Sequence, residues 1–99
     1  MDFIAKKGDV LFIGDENDEM AVHVLETVQL EGENYLQVLA IPVKFESIID
    51  PEKVKPEYVR EVVEGDDYSI DPVQNQKMVD ALNAAVLAQK AAKTPNLGK

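Results

Sequence analysis

Apolar and polar residues alternate along the first half of the chain, which is the pattern of half-buried β-strands. Residues 9–14 form a short apolar run that ends at a glycine and predicts a first strand. Residues 35–43 are rich in β-branched and aromatic side chains and predict a third. Between them, residues 20–30 predict a strand with one apolar face, made by Met20, Val22, Val24, Val28 and Leu30, and a more polar face, made by Ala21, His23, Leu25, Thr27 and Gln29.

Turn signals separate these strands. Residues 31–34 contain Gly32, which can take the positive φ that the first central position of a type II′ hairpin turn requires. Pro42 has no amide hydrogen for a ladder, so the third strand is expected to end there, at a sheet edge or where pairing stops.

The segment 44–71 is less regular. Prolines at positions 51 and 56 interrupt any long helix, which predicts a loop with one helical turn. Residues 58–63 are rich in valine and predict a fourth strand. A short fifth strand at 68–70 completes a hairpin across the turn at 64–67.

A helix is predicted after this point. Asp71 suits an N-cap, Pro72 suits the first helical position, and Gln74 stands where a capping box needs Glu or Gln. Apolar residues then recur at helical spacing to about Ala92. The sequence therefore predicts an α+β fold, an antiparallel sheet of four to five strands covered by one C-terminal α-helix, with a single domain at 1–92 and a flexible tail at 93–99.

Composition narrows the function classes. The 99 residues carry a net charge of −9, which disfavours direct binding to a phosphate backbone. The absence of cysteine excludes disulfides and thiolate metal sites. The sequence lacks an apolar run of roughly 18 residues and a signal-peptide stretch near its start, so we expect a cytoplasmic protein without a membrane contact.

Few residues are candidates for chemistry. The acidic run at 15–19 fits some EF-hand positions, but Met20 stands where that loop needs glycine, so a metal site is not expected. His23 is the only histidine and has no activating motif near it. The five glycines are isolated from one another, which disfavours a phosphate-binding loop. We therefore expect no catalytic residue, no metal and no cofactor.

The distribution of charge is uneven. Residues 1–71 contain eighteen acidic and six basic side chains, a balance of −12, whereas residues 72–99 contain one acid and four lysines, a balance of +3. Two interpretations fit this layout. Attraction between the acidic body and the basic helix explains it without a partner, and an acidic surface also attracts a basic partner. The candidate interaction surface comprises the acids of two predicted turns, which are Asp15, Glu16, Asp18, Glu19, Glu64, Asp66 and Asp67.

The leading hypothesis is a non-enzymatic acidic interaction or accessory protein that binds an unidentified, basic protein partner. One alternative is a nucleic-acid-mimicking inhibitor of a DNA-binding protein. A second is a small metal-dependent enzyme that uses His23 and the acidic turns. The alanine-rich side of the helix also suggests a homodimer, because small side chains let a second helix approach closely.

Two stretches share patterns with known proteins. Residues 15–42 contain an acidic turn, the strand Val24-Leu-Glu-Thr27, a glycine turn before Tyr35-Leu36, and an apolar strand that ends in proline. Residues 58–82 contain Val62-Val-Glu-Gly-Asp66. Across residues 9–82 the chain resembles a family of small acidic bacterial proteins of unknown function, common in Gram-positive species, although its region after Pro72 is less acidic and longer. That family has no assigned activity, so the resemblance implies no site residue.

Overall fold

The predicted α+β fold is confirmed in a computed structural model, which describes residues 3–15 and 17–93. An antiparallel sheet of five strands is accompanied by one C-terminal helix. In chain order the elements are β1 (Val10–Ile13), β2 (Met20–Leu30), β3 (Glu33–Pro42), β4 (Glu57–Glu64), β5 (Asp67–Pro72) and α1 (Gln76–Lys93), with short 3-10 turns at Val43–Phe45 and Pro51–Lys53.

The sheet is a meander in which each strand pairs antiparallel with the next, in the order β1-β2-β3-β4-β5. Direction alternates from strand to strand, so the two edge strands, β1 and β5, run the same way. β3 ends at Pro42, which lies opposite Met20, while β4 pairs with β3 only as far as Val38. The expectation that pairing stops near Pro42 is confirmed.

The β2–β3 turn differs from the predicted type. Its two central residues are Glu31, with φ 52°, and Gly32, with φ 82°. Two positive φ values define a type I′ turn, so the prediction of a type II′ turn with Gly32 first is wrong. The β4–β5 turn instead places Gly65, with φ 62°, at its first central position.

An irregularity in β2 changes which side chains share a face. Val24 lies opposite Val38, but the next paired residue is Glu26, opposite Gln37, so Leu25 is an extra residue. A β-bulge of this kind reverses the alternation beyond it. Val28 therefore does not share a face with Val24, and the predicted single apolar face of β2 is wrong.

The reversal gives the sheet two apolar faces. The inner face, which also packs against the partly buried Phe3, holds a cluster of Ala5, Val22, Val24, Leu36, Val38 and Val59. The outer face holds a cluster formed with the helix by Val28, Tyr35, Tyr58, Leu82 and Val86. The helix thus covers one part of the outer face. Residues 3–7, called here the N-terminal segment, fill one part of the inner face.

The helix starts later than predicted. Asp71 and Pro72 belong to β5, where Pro72 lies opposite Val59 and Asp71 forms an ion pair with Arg60 at 3.2 Å. The side chain of Asn75 accepts a hydrogen bond from the Met78 amide at 3.1 Å, as an N-cap does. Pairing with β4 outweighs the capping signal at Asp71. Residues 94–99 of the predicted tail lie outside the described residues.

Candidate functional site

The edge strand β1 is the most exposed apolar element of the sheet. Val10 is 40% exposed, Phe12 60% and Ile13 39%. Val10 and Phe12 lie opposite His23 and Ala21 and so project from the outer face. Leu11 projects from the inner face, where it packs against the inner cluster. An edge strand made only of apolar residues is a favourable template for pairing with another chain.

The backbone of β1 has one unused side in the described part of the chain, where its one strand partner is β2. The Val24 amide donates to the Asp9 carbonyl at 2.9 Å, which fixes the alternation of the ladder. Residues at odd positions, such as Leu11, therefore bond towards β2. The N–H and C=O groups of Val10 and Phe12 point away from the sheet and are available for another strand.

The opposite edge is different in chemistry. β5 carries exposed acids at Asp67 and Asp71 and ends in Pro72, which has no amide hydrogen. Charges and prolines on an edge strand discourage pairing with other chains. Of the two sheet edges, β1 is the one suited to strand addition.

A groove lies on the inner face and is lined by residues of all five strands. It has a volume of about 200 Å³, and its walls include Ile13 of β1 and Ile70 and Pro72 of β5. Ala40 of β3 lines it as well, and Glu57 is its one acidic residue. The groove is therefore an apolar channel at the end of the sheet where β1 and β5 finish.

The other end of the inner face is occupied by the N-terminal segment. Glu61 is only 8% exposed, and its carboxylate accepts hydrogen bonds from the Ala5 amide at 2.8 Å and the Tyr68 hydroxyl at 2.7 Å. It also accepts from Asn34 Nδ2 at 3.4 Å. Burial raises the pKa of the Tyr68 phenol above its ordinary value, and Glu61 raises it further. The Ile4 amide also donates to Glu61, at 3.3 Å, so this cluster fixes residues 4 and 5 on the sheet.

Sequence reasoning missed this cluster, although one signal was present. Glu61 follows Val59 at an alternate position of β4, so the strand pattern puts a carboxylate on the same face as a core valine. A second buried carboxylate, Glu26, pairs with Lys7 at 3.1 Å. Both acids bind the N-terminal segment, so two of the nineteen acids of the chain have a structural role.

The first acidic turn joins β1 to β2. Asp15 accepts hydrogen bonds from the amides of Asn17 at 3.1 Å and Asp18 at 3.2 Å, so its carboxylate builds the turn. Asp18 is exposed, and Glu19 is half-buried, with its carbonyl accepting from the Val43 amide at 3.0 Å. Glu16 lies outside the described residues.

The second acidic turn lies at the other end of the sheet. Glu64, Asp66 and Asp67 are exposed around the β4–β5 turn. Arg60 of β4 lies opposite Tyr35, near the start of β3, so β4 ends beside the β2–β3 turn. The turn at 15–19 lies at the opposite end of the sheet, where β2 begins. The fold therefore does not gather the six described candidate acids into one patch.

His23 is held on the outer face. Its Nε2 lies 2.9 Å from a carboxylate oxygen of Glu46, and the side chain is 34% exposed. Among residues 3–15 and 17–93, no three of the His, Asp and Glu side chains come together as a metal site requires. The hypothesis of an enzyme that uses His23 remains a prediction. The structure places the Glu46 carboxylate beside the imidazole that this hypothesis requires.

The outward side of α1 is exposed. Leu87 is 68% exposed, and Ala84, Ala88 and Ala91 are exposed beside it. The homodimer inferred from these alanines remains a prediction. In the described part of the chain, no helix has the length and apolar character needed to cross a membrane.

No family model, no curated protein and no solved structure matches this chain. The resemblance to small acidic bacterial proteins therefore remains an expectation from sequence.

Proposed function

We propose that this chain is a non-enzymatic interaction module that binds an extended segment of a basic protein partner along β1. The observation that carries this proposal is the exposed, wholly apolar edge strand from Val10 to Ile13. Strand addition uses main-chain hydrogen bonds for affinity and alternate side chains for specificity. β1 offers both, through the outward amides of Val10 and Phe12 and the exposed Phe12 ring.

Charge supports a basic partner. Residues 8–43 contain eight acidic side chains and no lysine or arginine. The turn that follows β1 begins with exposed Asp15 and Asp18. A strand lying along β1 would place its end beside this turn, where lysine or arginine is favoured and acids are repelled.

The same charges disfavour a second copy as the occupant of this edge. Two β1 strands paired antiparallel would bring Asp9 of each copy towards the acidic turn of the other. Each copy also carries a net charge of −9. A heterologous basic segment avoids both sources of repulsion.

Phe12→Pro tests the proposal in a capture experiment with the immobilised chain and an extract of its source cells. Proline removes the outward amide but no bond to β2, so the fold is expected to tolerate it. We expect a partner that wild type and the control Leu87→Ala capture, that Phe12→Pro loses, and whose recovery falls as salt rises to about 0.5 M.

Phe12→Thr separates the two contributions of this residue, because it keeps the amide and removes the ring. Partial capture by Phe12→Thr and none by Phe12→Pro supports strand pairing. Equal capture by wild type and Phe12→Pro, or capture that high salt leaves unchanged, contradicts the proposal.

A further inference from the structure

We infer that the bound segment adds as a sixth strand antiparallel to β1, with an apolar side chain in the groove and a basic residue beside Glu57. This inference rests on the proposed function and specifies how the partner is recognised. It follows from the direction of the strands, the position of the groove and the location of the acids.

Strand direction in the sheet favours one orientation of the partner. Every strand pair of this sheet is antiparallel. A strand that adds to β1 in the same way runs opposite to β1. The orientation of the partner is thereby set: its N-terminal end lies where β1 ends at Ile13 and β5 ends at Pro72.

Side chains on one face of the added strand reach the groove. A strand added to β1 alternates its side chains between the outer and inner faces. On the inner face they meet the groove of about 200 Å³, which Ile13 and Ile70 line from the two edges. This volume suits one or two aliphatic side chains, and their burial removes apolar wall from water.

Acidic side chains lie at the end of the sheet where the added strand begins. Glu57 lies in the groove wall and is exposed, and it takes part in none of the ion pairs of the described residues. Asp15 and Asp18 lie in the turn that follows β1, at the same end of the sheet. A lysine or arginine near the N-terminus of the added strand lies between Glu57 on one side and the acids of the turn on the other. The partner motif is thus a basic residue followed by alternating apolar residues.

A phage-displayed library of random dodecapeptides tests this motif directly, because selection from random sequences does not require the partner to be identified. We expect enriched peptides that carry Lys or Arg first and then apolar residues at every second position. An enriched set without this order, or no enrichment over an unrelated protein, overturns the inference.

Variants of the groove test where the peptide binds. Ala40→Leu fills the groove without touching the β1 edge, and we expect about tenfold weaker binding of the most enriched peptide, which corresponds to the burial of one aliphatic side chain. Glu57→Lys is expected to weaken binding of the same peptide several-fold and to reduce the salt dependence of that binding. Leu87→Ala on the far side of α1 is the matched control and is expected to bind as wild type.

The outcomes separate this inference from the proposed function. If Phe12→Pro abolishes binding while Ala40→Leu and Glu57→Lys bind as wild type, strand addition at β1 stands and insertion into the groove is overturned. If Phe12→Pro binds as wild type, both are overturned. Wild type that sediments as a dimer, with Phe12→Pro sedimenting as a monomer, shows a second copy at this edge and also overturns both.

Discussion

The backbone amide of Ala5 donates a 2.8 Å hydrogen bond to the buried carboxylate of Glu61, 56 residues further along the chain. Tyr68 donates to the same oxygen. This carboxylate joins the N-terminal segment, β4 and β5, and it closes one end of the inner face while the groove leaves the other end open.

Removing this carboxylate is expected to destabilise the fold. Glu61→Ala leaves the Ala5 amide and the Tyr68 hydroxyl without their acceptor, so we expect the free energy of unfolding to fall by about 3 kcal/mol. Glu64→Ala, on the same strand but exposed, is the control, with a change within about 0.5 kcal/mol. Urea unfolding measures both, and equal effects of the two substitutions contradict the structural role of Glu61.

The alkaline limit of stability is expected to depend on Tyr68. Its pKa is raised by burial and by Glu61, so the folded chain holds the phenol proton more tightly than the unfolded chain does. This contribution is complete below the ordinary tyrosine pKa near 10 and is lost as the pH rises above it. In urea unfolding between about pH 9 and 11, Tyr68→Phe is expected to lose less stability than wild type.

Tyr58 supplies the comparison for this experiment, because burial also raises its pKa. Tyr58→Phe keeps the contribution of Tyr68. Its free energy of unfolding is therefore expected to fall at alkaline pH by part of the amount lost by wild type. A wild-type profile that Tyr68→Phe reproduces without change contradicts the prediction.

Asn75, and not Asp71, is expected to stabilise the start of α1. Asn75→Ala removes the N-cap bond to the Met78 amide and is expected to cost about 1 kcal/mol. Asp71→Ala removes only an exposed ion pair with Arg60 and is expected to cost less than half as much. Thermal unfolding of the two variants distinguishes them, and a larger loss for Asp71→Ala restores Asp71 as the cap.

Two leucines of α1 test how the helix packs. Leu82 is fully buried against the outer face, and Leu87 is 68% exposed. We expect Leu82→Ala to cost about 3 kcal/mol and Leu87→Ala to cost less than about 0.5 kcal/mol at low micromolar concentration. A loss for Leu87→Ala that grows with protein concentration indicates that this helix face packs against a second copy.

Much of the fold was predictable because strand alternation and helical spacing are local signals. The strand at residues 20–30 was predicted with the bounds that the structure gives, and the hairpin after it follows from Gly32. The bulge at Leu25 was not predictable, because nothing in residues 24–26 distinguishes an extra residue from regular alternation. The helix start was misplaced because Asp71 and Pro72 satisfy a capping pattern and also fit the end of a strand.

The candidate site was predictable only in its acidity. The acids at 15–19 and 64–67 are visible in the sequence, but their separation depends on the order of the strands. Whether residues 10–13 form a central or an edge strand also depends on that order. An apolar run of this kind is typical of central strands and of edge strands alike. The sequence therefore does not identify β1 as the exposed strand.

Amide hydrogen exchange along β1 tests the central claim most directly, because it asks whether this edge is free in the monomeric chain. We expect the amides of Leu11 and Ile13 to exchange at least about tenfold more slowly than those of Val10 and Phe12, which point away from β2. Slow exchange at all four positions at a concentration where the chain is monomeric means that the edge is already paired, and it contradicts the account.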